Sequence, residues 1–449
     1  METTVILNRE QELALQLMLS GKNVFVFGNA GAGKSTVIEA FKRCCAKRLV
    51  CLAPTGIAAL NIQGSTIHRF FGFPGMVNDF ICQQSARNNY LMFNALDVIL
   101  IDEISMVRSD LFAAIDLTLR LAASGPAAQL PFGGKQIIVV GDCSQLPPVI
   151  EDWQVQTYLE ANFGGIHAFQ TTSWRNAAFQ PAVLTETLRV RDPRLLEIVN
   201  AIRTGVANQP IAPMNPTTLL DLLNTRCLPL SNLDDRTISL CSHNELAAQI
   251  NAIAIQQIPA EPQFFTGSVV GEFPANDRPT DINLPVKLGM RVMLRANQAG
   301  CSTPFAYVNG MTGTVVNCGK DFGRPYVTIR FNDGREETIN EYTWTNYEYE
   351  LEQDGQGNFD LTQKPVGTFT QLPISPAYGF TVHKSQGLTI TDPVCVMLDS
   401  QPCFVPGLLY VALTRCRSLD QITLNRPVSC FDCLQNPAVQ WFYDDLGLK

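Results

Sequence analysis

Nine consecutive residues, Gly28-Asn29-Ala30-Gly31-Ala32-Gly33-Lys34-Ser35-Thr36, carry the spacing of a phosphate-binding loop, G-x-x-x-x-G-K-S. The glycines allow the backbone N–H groups to curl around phosphate oxygens, and a helix starting behind them adds partial positive charge. Gly28, Ala30, Gly31, Ala32, Gly33 and Thr36 would line that cradle. Lys34 would reach the β- and γ-phosphates, and the Ser35 hydroxyl would hold Mg²⁺. A glycine-rich turn without a ligand is the bland alternative. The flanking residues argue against it. Asn23 to Phe27 is apolar and β-prone, and Val37 to Cys45 has helical spacing with Val37, Ile38 and Phe41 on one face. A nucleoside triphosphate, ATP with Mg²⁺, is the expected ligand.

An acidic pair stands where hydrolysis needs it. Val98 to Ile101 reads as a buried strand ending in Asp102-Glu103. Asp102 could bind Mg²⁺ through water and Glu103 could polarise the attacking water. A second strand, Gln136 to Val140, runs into Gly141-Asp142-Cys143-Ser144-Gln145. As a neighbour in the same sheet it would bring Gln145 toward the γ-phosphate, there to report hydrolysis. Positive charge on the outer side of that phosphate commonly comes from arginines of another domain. Arg189 and Arg415 are candidates that spacing alone does not place, and a surface ion pair is the alternative for each.

The elements that must position these groups follow from periodicity. Strands are expected at 23–28, 49–53, 97–102 and 135–141, with helices at 9–20, 34–46 and 109–123. This alternation predicts a mostly parallel α/β sheet covered by helices. Residues 71–95 read as a small surface excursion. A second αβ unit is expected, with helices near 193–204, 243–256 and 406–416 and strands near 237–241 and 394–398. Between about 285 and 370 short β-type runs separated by turns such as Asn332-Asp333-Gly334 suggest a small inserted β-barrel. The resulting division is 1–175, 176–284, 285–370 and 371–449.

The chain has 449 residues, 46% of them hydrophobic, which suffices for several cores. No apolar run approaches the roughly 18–20 residues of a membrane span. Met1-Glu2-Thr3-Thr4 lacks the basic start of a secretory signal. A net charge of −8 argues against a passive, charge-driven nucleic-acid coat but leaves room for a narrow basic channel. The 14 cysteines, among them Cys44, Cys45, Cys51 and Cys241, read as reduced core thiols. Cys430-Phe431-Asp432-Cys433 has no second pair with it, so structural zinc is not expected. A cytoplasmic, nuclear or mitochondrial protein is expected, not a secreted one.

Read in order, the motifs resemble those of the superfamily-one DNA helicases, and within them the Pif-type family. The peptide Asn8-Arg9-Glu10-Gln11 resembles the element in which a glutamine, here Gln11, reads adenine. Ala53-Pro54-Thr55-Gly56-Ile57-Ala58-Ala59 and Gly64-Ser65-Thr66-Ile67-His68 resemble the first DNA-contacting motifs. Pro131-Phe132-Gly133-Gly134, leading to Gln145-Leu146-Pro147-Pro148, resembles the stretch that separates this family from RecD-like relatives. Leu184 to Arg189 with Asn200 to Gly205, Val308 to Gly313, Thr381 to Gly387 and Tyr410 to Arg415 resemble the later motifs. Arg69 after His68, where a small polar residue is usual, and Thr414, where serine is common, depart from the pattern.

The resemblance implies two RecA-like cores with an inserted barrel of Src-homology-3-like type, and ATP between the cores. It makes Arg189 and Arg415 γ-phosphate arginines and puts Gly387 at the nucleotide. It points Pro54, Thr55, Thr66, His68, Asn309, Thr381, His383, Lys384 and Ser385 to the DNA, and Phe70 joins them as an aromatic candidate. For Phe70, Phe71 and Phe73, core packing competes with a base-stacking or strand-separating role. The implied activity is 5′-to-3′ travel on single-stranded DNA with unwinding of duplex or structured DNA, G-quadruplexes included, in replication, repair or genome maintenance. Partners would be single strands and single/double-strand junctions, with a monomer in solution and no membrane. A RecD-like subunit of a larger assembly, an ATP-switched DNA clamp and a metabolite kinase are the alternatives. The kinase leaves the late motifs unexplained.

Overall fold

The computed structural model describes residues 7–150, 152–187, 189–207, 210–212, 215–229, 233–296, 307, 309–353, 359–399 and 405–447. The start Met1 to Thr4, Leu188 and Val308 lie outside them. The chain divides into two compact units. The first comprises Met1–Leu188, Thr345–Val366 and Trp441–Leu448, and the second Arg189–Trp344 and Gly367–Gln440.

The first unit is built on six parallel strands: β1 (Val24–Gly28), β2 (Leu49–Ala53), β3 (Ser65–Thr66), β4 (Val98–Ile101), β5 (Gln136–Gly141) and β6 (Gln180–Leu184). Their order across the sheet is β3-β2-β4-β5-β1-β6. β1, β4 and β5 are buried along their whole length. That is why they read as continuous apolar runs: helices cover both faces of a parallel sheet. On one face α1 (Arg9–Leu19) and α2 (Lys34–Cys44) bring Ala14, Met18, Val37 and Phe41 against Val24, Val26, Ile138 and Val140. α3 (Gly56–Asn61) and α4 (Ile67–Phe71) follow β2 and β3. The region expected as a surface excursion is helical, α5 (Asp79–Asn88) and α6 (Tyr90–Ala95), and α5 packs on α7 (Ser109–Ala122).

Several boundaries differ from the sequence expectation. β6 pairs with β1 along its full length, so the first unit runs past residue 175. A strand of five residues, set apart from β5 by the helices Trp153–Phe163 and Thr172–Ala177, has no periodicity to announce its partner. Residues Trp441–Leu448, expected with the second core, belong to the first unit. There Phe442 stacks on Phe169 with ring centroids 4.3 Å apart and lies 5.8 Å from Phe25. Of the expected core thiols, Cys51 and Cys241 are buried, but Cys44 is exposed at the end of α2.

The second unit holds a parallel sheet in the order Gly379–Thr381, Ile238–Cys241, Val394–Met397, Ile422–Leu424. Helices Pro193–Arg203, Asn244–Gln257 and Leu408–Leu413 accompany it. The inserted β region begins at Gln263, earlier than expected. Its five-stranded antiparallel sheet shares one core with the Gln263–Thr266/Asn283–Val286 pair, through Phe265, Leu284, Val286, Val292, Val327 and Ile329. The Asn332-Asp333-Gly334 turn joins two of those strands, with Gly334 at φ 87°. The carboxylate of Asp392, buried just before Val394–Met397, ties the insert to the parallel sheet. Arg291 Nη2 lies 3.0 Å from it, and Thr312 and Asn332 donate to it.

Two stability consequences follow from these contacts. Removing one member of a buried ion pair strands the other, so Asp392→Ala should cost about 3–5 kcal/mol in urea unfolding. His167, stacked on Phe169 at 4.9 Å, is pushed by burial from 6.5 down to about 4. A depressed histidine contributes stability that is complete above pH 6.5 and lost as pH falls through 4, because only the unfolded chain takes the proton. Wild type should therefore lose about 3 kcal/mol more than His167→Asn between pH 7.5 and 4, measured by unfolding at both pH values.

Candidate nucleotide site and nucleic-acid motifs

The phosphate loop sits between β1 and α2. Gly31 and Gly33 adopt φ 84° and 80°, and Gly33 is the left-handed N-cap of α2. A glycine cap occupies none of the helix's first N–H groups, which leaves them for a phosphate. Gly28 is needed for closeness: a Cβ there would lie 2.9 Å from Leu184 Cβ on β6. Ala30 and Ala32 are buried, Thr36 is half-buried and Ser35 is exposed. Lys34 Nζ is folded onto the loop, donating to Gly28 O at 2.7 Å and Asn29 O at 3.2 Å.

Gln11 touches the same loop but not as a free reader. It is buried, its Oε1 accepts from Asn8 N at 3.0 Å in a capping box, and its Nε2 donates to Ala32 O at 3.4 Å. The residues that cap α1 therefore also brace the loop.

The strand order places β5 between β1 and β4, so all three end at one edge. Asp102 and Glu103 leave β4 there. Glu103 holds φ 50°, a left-handed conformation costly for a glutamate, and donates its N–H to Asp102 Oδ1 at 2.9 Å. Among the described residues Glu103 Oε2 is buried and has no hydrogen-bond partner. Burial, and then the charge of Glu103, raise the Asp102 carboxyl above the ordinary range, while Lys34 acts in the opposite sense. From β5, Gly141 lets the two turns approach, since a Cβ would meet Ile104 Cγ2 at 2.9 Å. Asp142 and Gln145 are buried, and Gln145 N donates to Asp142 O at 3.0 Å.

The early DNA candidates of the first unit share the edge formed by β2 and β3. Pro54 is half-buried. Thr55 is exposed and caps α3, accepting from Ala58 N at 3.3 Å. Thr66 caps α4 in the same way, accepting from Arg69 N at 3.3 Å. His68 is half-buried, and burial followed by the Arg108 charge lowers its pKa, which favours a neutral ring. Phe70 does not face solvent. It is 6% exposed and lies in a cluster with Phe71, Phe93 and Tyr349, at 5.2, 5.9 and 5.7 Å; Phe71 and Phe73 are buried too. Core packing, not base stacking, is its place here. Arg69, the departure from the motif, pairs with Glu348 at 2.7 Å. Tyr349 Oη accepts from Cys51 N at 3.1 Å. Sequence reading missed Glu348 and Tyr349 because nearly 280 residues separate them from α4.

In the second unit the late motifs converge. Arg189 donates to Thr389 Oγ1 at 2.9 Å, Gly387 O at 3.2 Å and Thr414 O at 3.4 Å. Arg415 is fully buried and donates to the carbonyls of Val411, Ser385 and Leu388 and to Thr414 Oγ1. In this conformation its guanidinium serves its own unit. Ser385 is also buried, its hydroxyl spent on Val382 O, and buried Thr381 accepts from Lys384 N. Lys384 is exposed, while His383 and Asn309 are half-buried. Burial lowers the His383 pKa.

Residues 6–199 match the model of the PIF1-like helicase family. The chain is similar to an ATP-dependent DNA helicase Pif1 of Bdellovibrio bacteriovorus, 30% identical, with 92% of this chain and 86% of that protein covered. It spans 65% of a Xenopus laevis ATP-dependent DNA helicase PIF1, also at 30% identity and over 99% of this chain. Among solved structures, Bacteroides Pif1 in complex with ADP-AlF4 superposes with a TM-score of 0.84 at 30% identity, covering 99% of this chain and 98% of that one. Bacteroides Pif1 in complex with ADP-AlF3 and single-stranded DNA gives 0.63 at 30% identity, covering 99% of each chain. Phosphate loop, acidic pair and late motifs thus sit in a chain that belongs to the PIF1-like helicase family, an ATP-hydrolysing DNA helicase.

Proposed function

We propose that this helicase spends ATP on 5′-to-3′ travel along single-stranded DNA and on opening duplex or structured DNA, G-quadruplexes included. The observation that carries the reading is the common edge of β1, β5 and β4, from which Lys34, Gln145 and the Asp102-Glu103 pair all depart. The relative with both an ADP-AlF3 complex and single-stranded DNA supports it.

A magnesium ion fits the donor set. Ser35 offers an exposed hydroxyl and Asp102 a carboxylate that burial and Glu103 leave short of positive charge, both hard oxygen ligands. Bound there, the ion would neutralise phosphate charge. Lys34 would exchange its two carbonyl acceptors for phosphate oxygens, a charge-assisted gain. Glu103 would accept the proton of the attacking water at Oε2, the atom without a partner among the described residues. Gln145 would sense the γ-phosphate. Arg189 and Arg415 are the proposed γ-phosphate arginines on the strength of their motifs.

On the DNA side, Thr55, Thr66, His68, His383 and Lys384 are the proposed phosphate contacts. Most are neutral, which suits a chain of net charge −8. Their hydrogen bonds depend less on bulk charge than a lysine-rich groove would.

The test is ATP hydrolysis with and without single-stranded DNA, followed by single-turnover unwinding of duplexes tailed at either end. DNA should stimulate hydrolysis, and only the 5′-tailed duplex should open. Glu103→Gln should lower the stimulated rate by about 10²–10⁴-fold while nucleotide affinity holds. Hydrolysis indifferent to DNA, or opening from a 3′ tail alone, would contradict the proposal.

A further inference from the structure

We infer that Tyr443 is a positioning residue of the hydrolysis site, setting the turn that carries Gln145 against the strand that carries the phosphate loop. It lies in the segment Trp441–Leu448, which belongs to the first unit although it follows the second core in sequence. No motif covers it.

The geometry is specific. Phe27 and Gly141 are the last register partners of β1 and β5. Beyond them the two chains part, β1 into Gly28 and the phosphate loop, β5 into Asp142 and Gln145. Tyr443 sits at that fork. Its ring packs on Phe27 with centroids 4.7 Å apart. Its hydroxyl accepts from Cys143 N at 2.6 Å and donates to Asp142 Oδ1 at 3.2 Å. Asp142 Oδ1 also accepts from Ser144 N at 3.0 Å, and Asp142 O from Gln145 N at 3.0 Å. The turn from Asp142 to Gln145 is thus a chain of hydrogen bonds with the Tyr443 hydroxyl at its root.

The environment makes that hydroxyl consequential. Tyr443 is 5% exposed and Asp142 is fully buried. A buried polar group that loses a partner has no water to replace it. The neighbouring Phe442 is fixed between Phe169 and Phe25, so the helix Pro437–Asp445 cannot readily rotate Tyr443 away. Aromatic packing holds the helix, the helix holds the hydroxyl, and the hydroxyl holds the turn. A group sensing a γ-phosphate must be held to within a fraction of an ångström, which is what such support supplies.

The inference rests on the assignment of Gln145 as the γ-phosphate sensor, and the experiment separates the two. Tyr443→Phe removes only the hydroxyl and keeps the ring on Phe27. DNA-stimulated kcat for ATP should fall about 5- to 10-fold, with KM for ATP and the affinity for ADP within about twofold. Gln145→Ala should lower kcat by itself. In the Gln145→Ala background, Tyr443→Phe should then cost less than about twofold more, because both changes disable one device. A general loss of stability would instead add to the Gln145→Ala loss and move nucleotide affinity as well. Additive losses, or wild-type kcat in Tyr443→Phe beside an impaired Gln145→Ala, would overturn the role given to Tyr443 and leave the sensor standing. Wild-type kcat in Gln145→Ala would remove the sensor and this inference with it.

Discussion

The parallel register of the first sheet is the constraint on which the site depends. Phe27 opposite Gly141, and Ile101 opposite Val139, put the ends of β1, β5 and β4 at one edge. Parallel strands end in the same direction, so every loop leaving that edge faces the same side, where ligands of α/β sheets bind. Slip one strand by a residue and every side chain on it meets the opposite helix layer. The strand ends that carry the chemistry are therefore held by the packing of Val24, Val26, Ile138 and Val140 against α1 and α2.

Against that rigid base the site stores small, local costs. Glu103 occupies a left-handed backbone and has a buried oxygen without a hydrogen-bond partner among the described residues. Lys34 is parked on carbonyls, and Arg415 is satisfied within its own unit. The Lys34 ammonium would exchange those carbonyls for phosphate oxygens. Strained backbone and unsatisfied acceptors of this kind persist only where surrounding structure over-determines them. Here the sheet edge, the glycine contacts at Gly28 and Gly141, and the Tyr443 hydroxyl provide that surplus.

Much of this was legible in the chain. The four strands expected in the first third begin and end within a residue or so of their structural bounds, because buried parallel strands announce themselves as apolar runs between turn residues. The phosphate loop and acidic pair are local patterns and carry their own context. What escaped was long-range. Tyr443 on the Asp142 turn, Glu348 on Arg69 and the Asp392 knot leave no periodic trace. Phe70 was ambiguous because an aromatic triplet reads alike as core and as stacking platform; only burial separates the two. Ser385 and Arg415 lie in recognisable motifs, but a motif does not tell whether a polar side chain points outward or spends its hydrogen bonds inward.

The most direct test of the central claim is a crystal structure of the protein with Mg²⁺ and ADP–aluminium fluoride. The fluoride group should sit at Lys34, with Ser35 and Asp102 at the ion, Glu103 facing the in-line water and the Gln145 side chain turned toward the fluoride. Nucleotide bound in the Gly28–Thr36 loop with Glu103 turned away from the water, or with the Gln145 side chain turned away from the fluoride, would contradict it.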